Sequence, residues 1–343
     1  MKDIKVGIVG AGGIAGGKHL PGHRGVEGVE IIAVCDIVEE RAKTFAEQHN
    51  IPHVFTDYEK LVAMEELDAI SVCTPNNFHP GPTIAALEAG KHVICEKPLA
   101  GNARDGQGMV DVAKKSGKVL QIGLQSRFND GNRTLRKLVE AGEFGDIYYA
   151  RAMAMRRRGV PAASTFITKK ISGGGPLIDI GVHILDVLLW VIGNPKPVKV
   201  FGSIDTKFGK RDDVVNPWGK WDAKQFDVED FAIGVIKFEG GLTVTLETAW
   251  ASHTGNNIGT TFFMGDKAGA TLHPPRIYTD KGGEMVDYEP KIIKGEPGEF
   301  QSFHDAIRKG LPSPVPAEQV LEVQKIFDAI YTSARRGHAV TIK

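Results

Sequence analysis

Between residues 4 and 124 short, almost unbroken apolar runs recur: IKVGIVG (4–10), VEIIAVCD (29–36), AISVCTP (69–75), HVICEKP (92–98) and VLQIGL (119–124). Runs this short, closed by glycine, proline or charged residues, read as strands buried on both faces. Segments of helical spacing separate them: HLPGHRGV weakly, then VEERAKTFAEQHN, PTIAALEAG and NARDGQGMVDVAKKSG, the middle two ending in Asn or Gly as helices do. Strand and helix in alternation predict a parallel sheet covered on both faces.

From about residue 125 the pattern changes. One helix, NRTLRKLVEAGEFG, precedes strands of period two: DIYYARAMAMR, FAIGVIKF, LTVTLETAWAS and GTTFFMG. EGGLT joins the middle pair as a hairpin turn would. These strands predict an α+β domain with one large open, mainly antiparallel sheet. Residues 204–226 are polar, proline-bearing and aperiodic, a long excursion of the kind that serves as a binding element or lid. AEQVLEVQKIFDAIYTSARRG (317–337) is an amphipathic helix with Val320, Val323, Ile326, Phe327, Ile330 and Tyr331 on one face. At 343 residues the chain is too long for one ordinary core, so the reading is an α/β protein of two domains, residues 1–124 and 125–343. Apolar residues on both faces of FAIGVIKF and LTVTLETAW predict a sheet covered by helices on one side and another subunit on the other, hence a homodimer or homotetramer.

Composition narrows the partners. With 42 basic and 42 acidic residues there is no net field to hold nucleic acid or an anionic membrane, and a small neutral partner is expected. The first strand starts by Ile4, which leaves no room for a charged n-region and apolar h-region, and no run reaches the roughly 18 apolar residues that spanning requires. The expected location is the cytoplasm. Cys35, Cys73 and Cys95 each end a strand and form no C-x-x-C pair, so they are expected to be buried reduced thiols, and no metal site is expected.

The strand ends carry the chemistry. Gly10, Gly12 and Ala15, with Gly13 and Ile14 between them, make G-x-G-x-x-A directly after the first strand and before a helix. That is a dinucleotide fingerprint in its proper context. Asp36, followed by Ile37, ends the second strand, where a carboxylate accepts from ribose hydroxyls and repels a 2′-phosphate; NAD is therefore the expected cofactor. Arg41, five residues on, reads as a helix-surface ion pair. Thr74, Pro75 and Asn76, with His79 after them, leave the third strand where the nicotinamide half of the cofactor would pass.

A lysine at the end of a buried strand points at whatever binds there, and Lys97, followed by Pro98, has that position. Residues 173–193, GGGPLIDIGVHILDVLLWVIG, read as one helix opened by Pro176, on which Asp179, His183 and Asp186 share a stripe. Oxidation of an alcohol needs a base for the hydroxyl proton, which suits His183, and a cation near the oxygen, which suits Lys97, while Asp179 orients its neighbours.

Taken together, the G-x-G-x-x-A run, TPN with the later His79, AGKHVICEKPLA (89–100) and the Asp179–His183 segment resemble the glucose-fructose oxidoreductase, inositol dehydrogenase and rhizopine-catabolism family of NAD(P)-dependent oxidoreductases. The resemblance covers nearly the whole chain. It implies a Rossmann domain followed by an open-faced sheet domain that often oligomerises through that sheet, with Lys97, Asp179 and His183 as the catalytic set. It further implies a cis Lys97–Pro98 bond, and places Glu96, Gln125 and Arg127 near the cofactor. The expected activity is hydride transfer between a secondary hydroxyl of a sugar, glycoside or cyclic polyol and nicotinamide. A glycoside lyase or hydrolase using NAD transiently is the alternative. Retention of all three catalytic residues argues against a non-catalytic sugar sensor.

Substrate contacts are less determined by pattern. Arg156, Arg157 and Arg158 end a strand, where alternation turns Arg156 and Arg158 to one side and Arg157 to the other. They suit a carboxylate or several hydroxyls. Phe166, Trp218 and Trp221 are candidates to stack on a pyranose ring, Trp250 reads as core, and His253 is a weaker candidate.

Overall fold

The computed structural model of the chain describes residues 3–342. Two compact units emerge, one running to Gly123 and including Pro297–Leu321, the other comprising Leu124–Glu296 and the residues from Glu322 onward.

In the first unit the five apolar runs form strands β1 (Ile4–Val9), β2 (Val29–Cys35), β4 (Ala69–Val72), β5 (His92–Glu96) and β6 (Leu120–Gly123), with a three-residue β3 (His53–Phe55) that the pattern does not announce. All pair in parallel in the order β3-β2-β1-β4-β5-β6. The order reverses between β1 and β4, so the loops leaving their carboxyl ends diverge and open a crevice there. Val6, Ile8, Val34 and Ile94 lie in the core, and so do Phe300, Phe303 and Ala306 of the helix Glu299–Lys309. This corrects the simple division at residue 124. The chain returns to the first sheet, where Ile122 N–H donates to Val315 O at 3.4 Å and the Gln121 side chain donates to Glu299 O at 3.2 Å. An amphipathic face states that a helix packs, not against which core.

The second unit holds a nine-stranded sheet: β7 (Ile147–Met155), β8 (Pro197–Asp205), β9 (Phe231–Phe238), β10 (Thr243–Ala249), β11 (Ile258–Gly265), β12 (Ala268–Leu272), β13 (Pro275–Lys281), β14 (Glu284–Tyr288) and β15 (Val340–Thr341). Their order is β14-β13-β12-β11-β7-β10-β9-β8-β15, antiparallel throughout except where β10 runs parallel to β7. Gly202 and Gly234 face each other in register across β8 and β9. A Cβ at Gly202 would stand 2.9 Å from the backbone of Ile330, so the bare strands let the C-terminal helix lie close on this face. The opposite face exposes Phe201, Val235, Met264 and Tyr278.

The excursion between β8 and β9 is anchored. Buried Asp230 accepts from the backbone N–H groups of Lys207, Phe208 and Gly209 at 3.1, 2.6 and 2.7 Å. The segment read as one helix over 173–193 is instead two, Pro176–Asp179 and Gly181–Val191, broken at Ile180, and the stretch Lys169–Asp179 meets Gly181–Val191 at 48°. Glycine directly after the bend lowers the preference for continuing the first helix. Among the described residues no single helix is long and apolar enough to cross a membrane, and no cluster of three or more His, Cys, Asp or Glu side chains could hold a metal. The three cysteines are buried and unbridged, and burial pushes the Cys35 thiol up to about 12.

Candidate active site

In the first unit every motif of the sequence falls at the carboxyl edge of the sheet. Gly10 takes φ +98°, and a Cβ there would lie 2.7 Å from the backbone of Cys73, so only glycine permits this turn. A Cβ at Gly12 or Gly13 would meet nothing within 4 Å. Their bareness is therefore unexplained by the protein's own packing and suits a backbone that a pyrophosphate approaches. Ala15 is fully buried where a wide π-type turn, Ala15–His19, opens the following helix, while Ile14 and Ile37 are exposed beside the loop.

Asp36 is buried and fastens the loop. One carboxylate oxygen accepts from Ala11 N–H at 3.0 Å and the other from Val38 N–H at 2.9 Å. Arg41 Nη1 stands 3.3 Å from Asp36, so the expected ion pair of Arg41 is made to the ribose-binding candidate itself. Thr74 Oγ1 is buried without a partner at the end of β4, and Pro75 leads into the turn Asn76–Phe78. The open glycines, Asp36 and the orphaned Thr74 hydroxyl together fit a dinucleotide.

His79 does not reach outward as a ligand contact would. It is wholly buried, with Nδ1 2.8 Å from Pro98 O and Nε2 2.9 Å from Thr74 O. It thereby straps the TPN turn to the turn after Lys97, and burial lowers its pKa. The Lys97–Pro98 bond is cis, and Lys97 is partly buried at the end of β5.

Glu96 is held from three directions. Its Oε2 accepts from Lys97 N–H at 3.1 Å, and its Oε1 lies 2.7 Å from Lys18 Nζ and 2.9 Å from His19 Nε2. Hydrogen bonds from His19 and the Lys18 charge outweigh burial and hold the carboxyl well below the usual range. The contacts continue inward: His19 Nδ1 to Ser71 Oγ at 2.5 Å, His23 Nε2 to Ser71 Oγ at 3.2 Å, and His23 Nδ1 to His304 Nε2 at 2.9 Å. Burial lowers the pKa of all three histidines, that of His304 to about 4. Neutral imidazoles donate once and accept once. With Glu96 as pure acceptor, every donor then points one way: His304 to His23, His23 to Ser71, Ser71 to His19, His19 to Glu96.

In the second unit Asp179 closes the short helix Pro176–Asp179 and His183 lies in the first turn of the next, four residues on across the bend. Both are partly buried. Trp250 Nε1–H donates to Asp179 Oδ2 at 3.1 Å, which gives a residue read as core a polar duty. Upstream, Glu229 Oε1 accepts from Gly175 N–H, Leu177 N–H and Tyr331 OH at 3.0, 3.1 and 3.0 Å, capping the helix that ends in Asp179. A Cβ at Gly175 would fall on the Glu229 carbonyl, and one at Gly174 on the Tyr331 hydroxyl. The glycine run is thus required by this close approach. Sequence reasoning missed Glu229, because a lone acid in a loop carries no periodic signal.

Asp186 leaves the expected stripe. It is buried and takes a bidentate ion pair from Arg127, Nε to Oδ2 at 2.9 Å and Nη2 to Oδ1 at 2.5 Å. Arg127 therefore has an anchoring role within its own unit, and Gln125, in the same turn, is exposed. Phe166 is exposed on the short helix Ser164–Ile167.

A glycine-turned crevice at the switch point of a parallel sheet, with a carboxylate ending β2 and a lysine ending β5, defines a nucleotide-dependent oxidoreductase. Residues 4–124 match the oxidoreductase family with NAD-binding Rossmann fold, and residues 132–271 match the GFO/IDH/MocA C-terminal domain. The chain belongs to this family of sugar and polyol oxidoreductases, and its first unit carries the family's NAD-binding Rossmann fold. It is 37% identical to D-glucoside 3-dehydrogenase of Escherichia coli (strain K12), covering 99% of this chain and 97% of that protein. It is 28% identical to inositol 2-dehydrogenase of Salmonella typhimurium (strain LT2), over 91% and 88% of the two chains. Among solved structures, aldose-aldose oxidoreductase from Caulobacter crescentus, complexed with glycerol, superposes with a TM-score of 0.82 at 26% identity, over 99% of this chain and all of that one.

Proposed function

We propose that this enzyme oxidises one secondary hydroxyl of a sugar, glycoside or cyclic polyol, with NAD as acceptor, in the cytoplasm. Bound NAD supplies a nicotinamide C4 that accepts the hydride. A ring nitrogen of His183 takes the hydroxyl proton, the Lys97 ammonium stabilises negative charge growing on the oxygen, and Asp179 orients the imidazole and substrate. As the hydride leaves the carbon, the O–H bond leaves its electron pair to form the carbonyl and the proton rests on His183.

The observation that carries this reading is the Asp179–His183 pair in its built setting, capped upstream by Glu229 and fixed by Trp250. A sugar-binding protein without chemistry has no need of that apparatus. The name of the 37%-identical relative, D-glucoside 3-dehydrogenase, supports a glycoside substrate and net oxidation. NAD rather than NADP is favoured by Asp36, which holds its carboxylate at the end of β2 even with Arg41 alongside.

The test is an NAD-coupled panel of glycosides, aldoses and inositols read at the NADH absorbance. Accumulating NADH is expected with at least one of them; released aglycone without NADH would replace the dehydrogenase by a transient-redox lyase. His183→Ala should lower kcat by about 100- to 10,000-fold with saturating substrate and NAD. Turnover close to the parent would remove His183 from its role.

A further inference from the structure

The three consecutive arginines end in three different situations. Arg157 is exposed and donates to Gly255 O at 2.9 Å. Arg158 turns Nη1 onto the carbonyls of Ser252 and Arg157, both at 2.6 Å, sets Nη2 3.3 Å from His253 Nδ1, and lies 4.9 Å over the Phe208 ring. It latches the loop after β10. Arg156 is partly buried, and among the described residues its side chain makes one hydrogen bond, Nη1 to Gly159 O at 2.9 Å, while its guanidinium stacks 4.5 Å from the centre of the Trp218 ring.

This stacking is constructed. Asn216 exchanges hydrogen bonds with Val160, Oδ1 accepting from its N–H at 3.2 Å and Nδ2 donating to its carbonyl at 2.9 Å, and also donates to Gly219 O at 2.8 Å. The excursion is thereby folded back so that Trp218 covers Arg156. Gly159 leaves the necessary gap, since a Cβ there would stand 2.7 Å from Arg156 Cδ and 3.6 Å from the Trp218 ring. Burial lowers the pKa of the guanidinium, and the charge of Asp179, which Trp250 fixes, acts the other way.

We infer that Arg156, braced by Trp218 and opposed to Asp179, is a specificity-determining residue that selects neutral polyols over sugar acids. The inference rests on the proposed carbohydrate substrate and deepens it. A hydroxyl satisfies both charges at once, accepting from the guanidinium and donating to the carboxylate. A carboxylate gains from Arg156 but stands against Asp179, and a substrate ammonium suffers the reverse. Trp218 holds the guanidinium plane in one orientation, so the donors left over from Gly159 face a fixed direction.

The experiment is calorimetric titration of the NADH-loaded enzyme with methyl β-D-glucoside, myo-inositol and methyl β-D-glucuronide. At least one neutral probe should bind about 10-fold or more tightly than the glucuronide. Arg156→Gln should weaken that neutral probe by about 10- to 100-fold, as loss of a charge-assisted hydrogen bond does, with NADH affinity and Tm unchanged. Arg156→Lys, which keeps charge but not the fork, should fall between, and Trp218→Ala should weaken binding by less than Arg156→Gln. Glucuronide binding equal to or tighter than both neutral probes, or no binding by any probe, or indifference of the neutral probe to both Arg156 variants, overturns the inference. Neutral binding that depends on Arg156 in an enzyme that reduces no NAD would uphold this subsite while removing the dehydrogenase reading.

Discussion

Glu96 shows how much one side chain at a strand end decides. Three donors converge on its two oxygens, and only a carboxylate can accept on both. An amide in its place must turn its NH2 either toward Lys97 N–H or toward Lys18 and His19, and each orientation sets donor against donor. Glu96→Gln should therefore cost about 3–5 kcal/mol in urea unfolding, the usual loss when one partner of a buried ion pair is removed. It should also disturb the Nε2–H tautomers of His19, His23 and His304 together, read from their ring nitrogen shifts. A loss below about 1 kcal/mol would mean that the carboxylate is not what organises the strand end. The sequence makes Glu96 conspicuous beside Lys97 as a cofactor contact; its inward grip is invisible there, because Lys18 and His19 lie more than seventy residues away.

At the scale of elements, the apolar runs, the glycine fingerprint and the hairpin turn correspond to structure, whereas the apolar stretch 173–193 does not make the single helix its pattern suggests. The apolar runs became strands, the glycine fingerprint became the β1 turn, and the EGGLT turn joined β9 to β10. The features that escaped are those made by distant partners: β3, three residues long with no apolar run; the break at Ile180; the return of the helix Glu299–Lys309 to the first sheet; and the Glu229 cap. That returning helix brings His304 onto His23, and the buried histidine string has a thermodynamic consequence. Folding lowers the histidine pKa values, so between about 4 and the ordinary value of 6.5 the unfolded chain binds protons that the folded one does not. Stability then rises with pH across that window and is lost as pH falls. His304 alone contributes roughly 3 kcal/mol over the whole window, at about 1.4 kcal/mol for each pH unit. Glu96, held low, adds to the loss as pH falls through the ordinary carboxyl range and below it. Calorimetric Tm should drop between pH 6.5 and 4, and His304→Gln should flatten that drop; an unchanged slope would show that the string stays neutral for another reason.

At the scale of the molecule, the two faces of the large sheet are unequal in a way that one chain leaves unexplained. The inner face is built from small and branched residues, Ala150, Ala152, Gly202, Ala232, Gly234 and Val244, all buried. The other face carries Phe201 opposite Val235, with Met264 and Tyr278 further along the sheet, each at least 38% exposed. Between them run polar pairs, Tyr149 OH to Thr245 Oγ1 at 3.0 Å and Arg151 to Glu247 at 2.7 Å. Rows of apolar groups with their polar neighbours already paired make a surface that can be dehydrated at little cost. The proposed occupant is a second copy of the chain, because a two-fold axis brings the same residues of both copies together. Light scattering at micromolar concentration should then give a dimer or tetramer. Replacing Phe201 and Val235 together by Glu puts four like charges at such an axis, and should yield a monomer that retains NADH binding, since these positions lie far in sequence from the glycine loop and Asp36. A parent chain that is monomeric at these concentrations would leave the exposed face without its proposed occupant, and a double variant that remains oligomeric would move the interface elsewhere on the molecule.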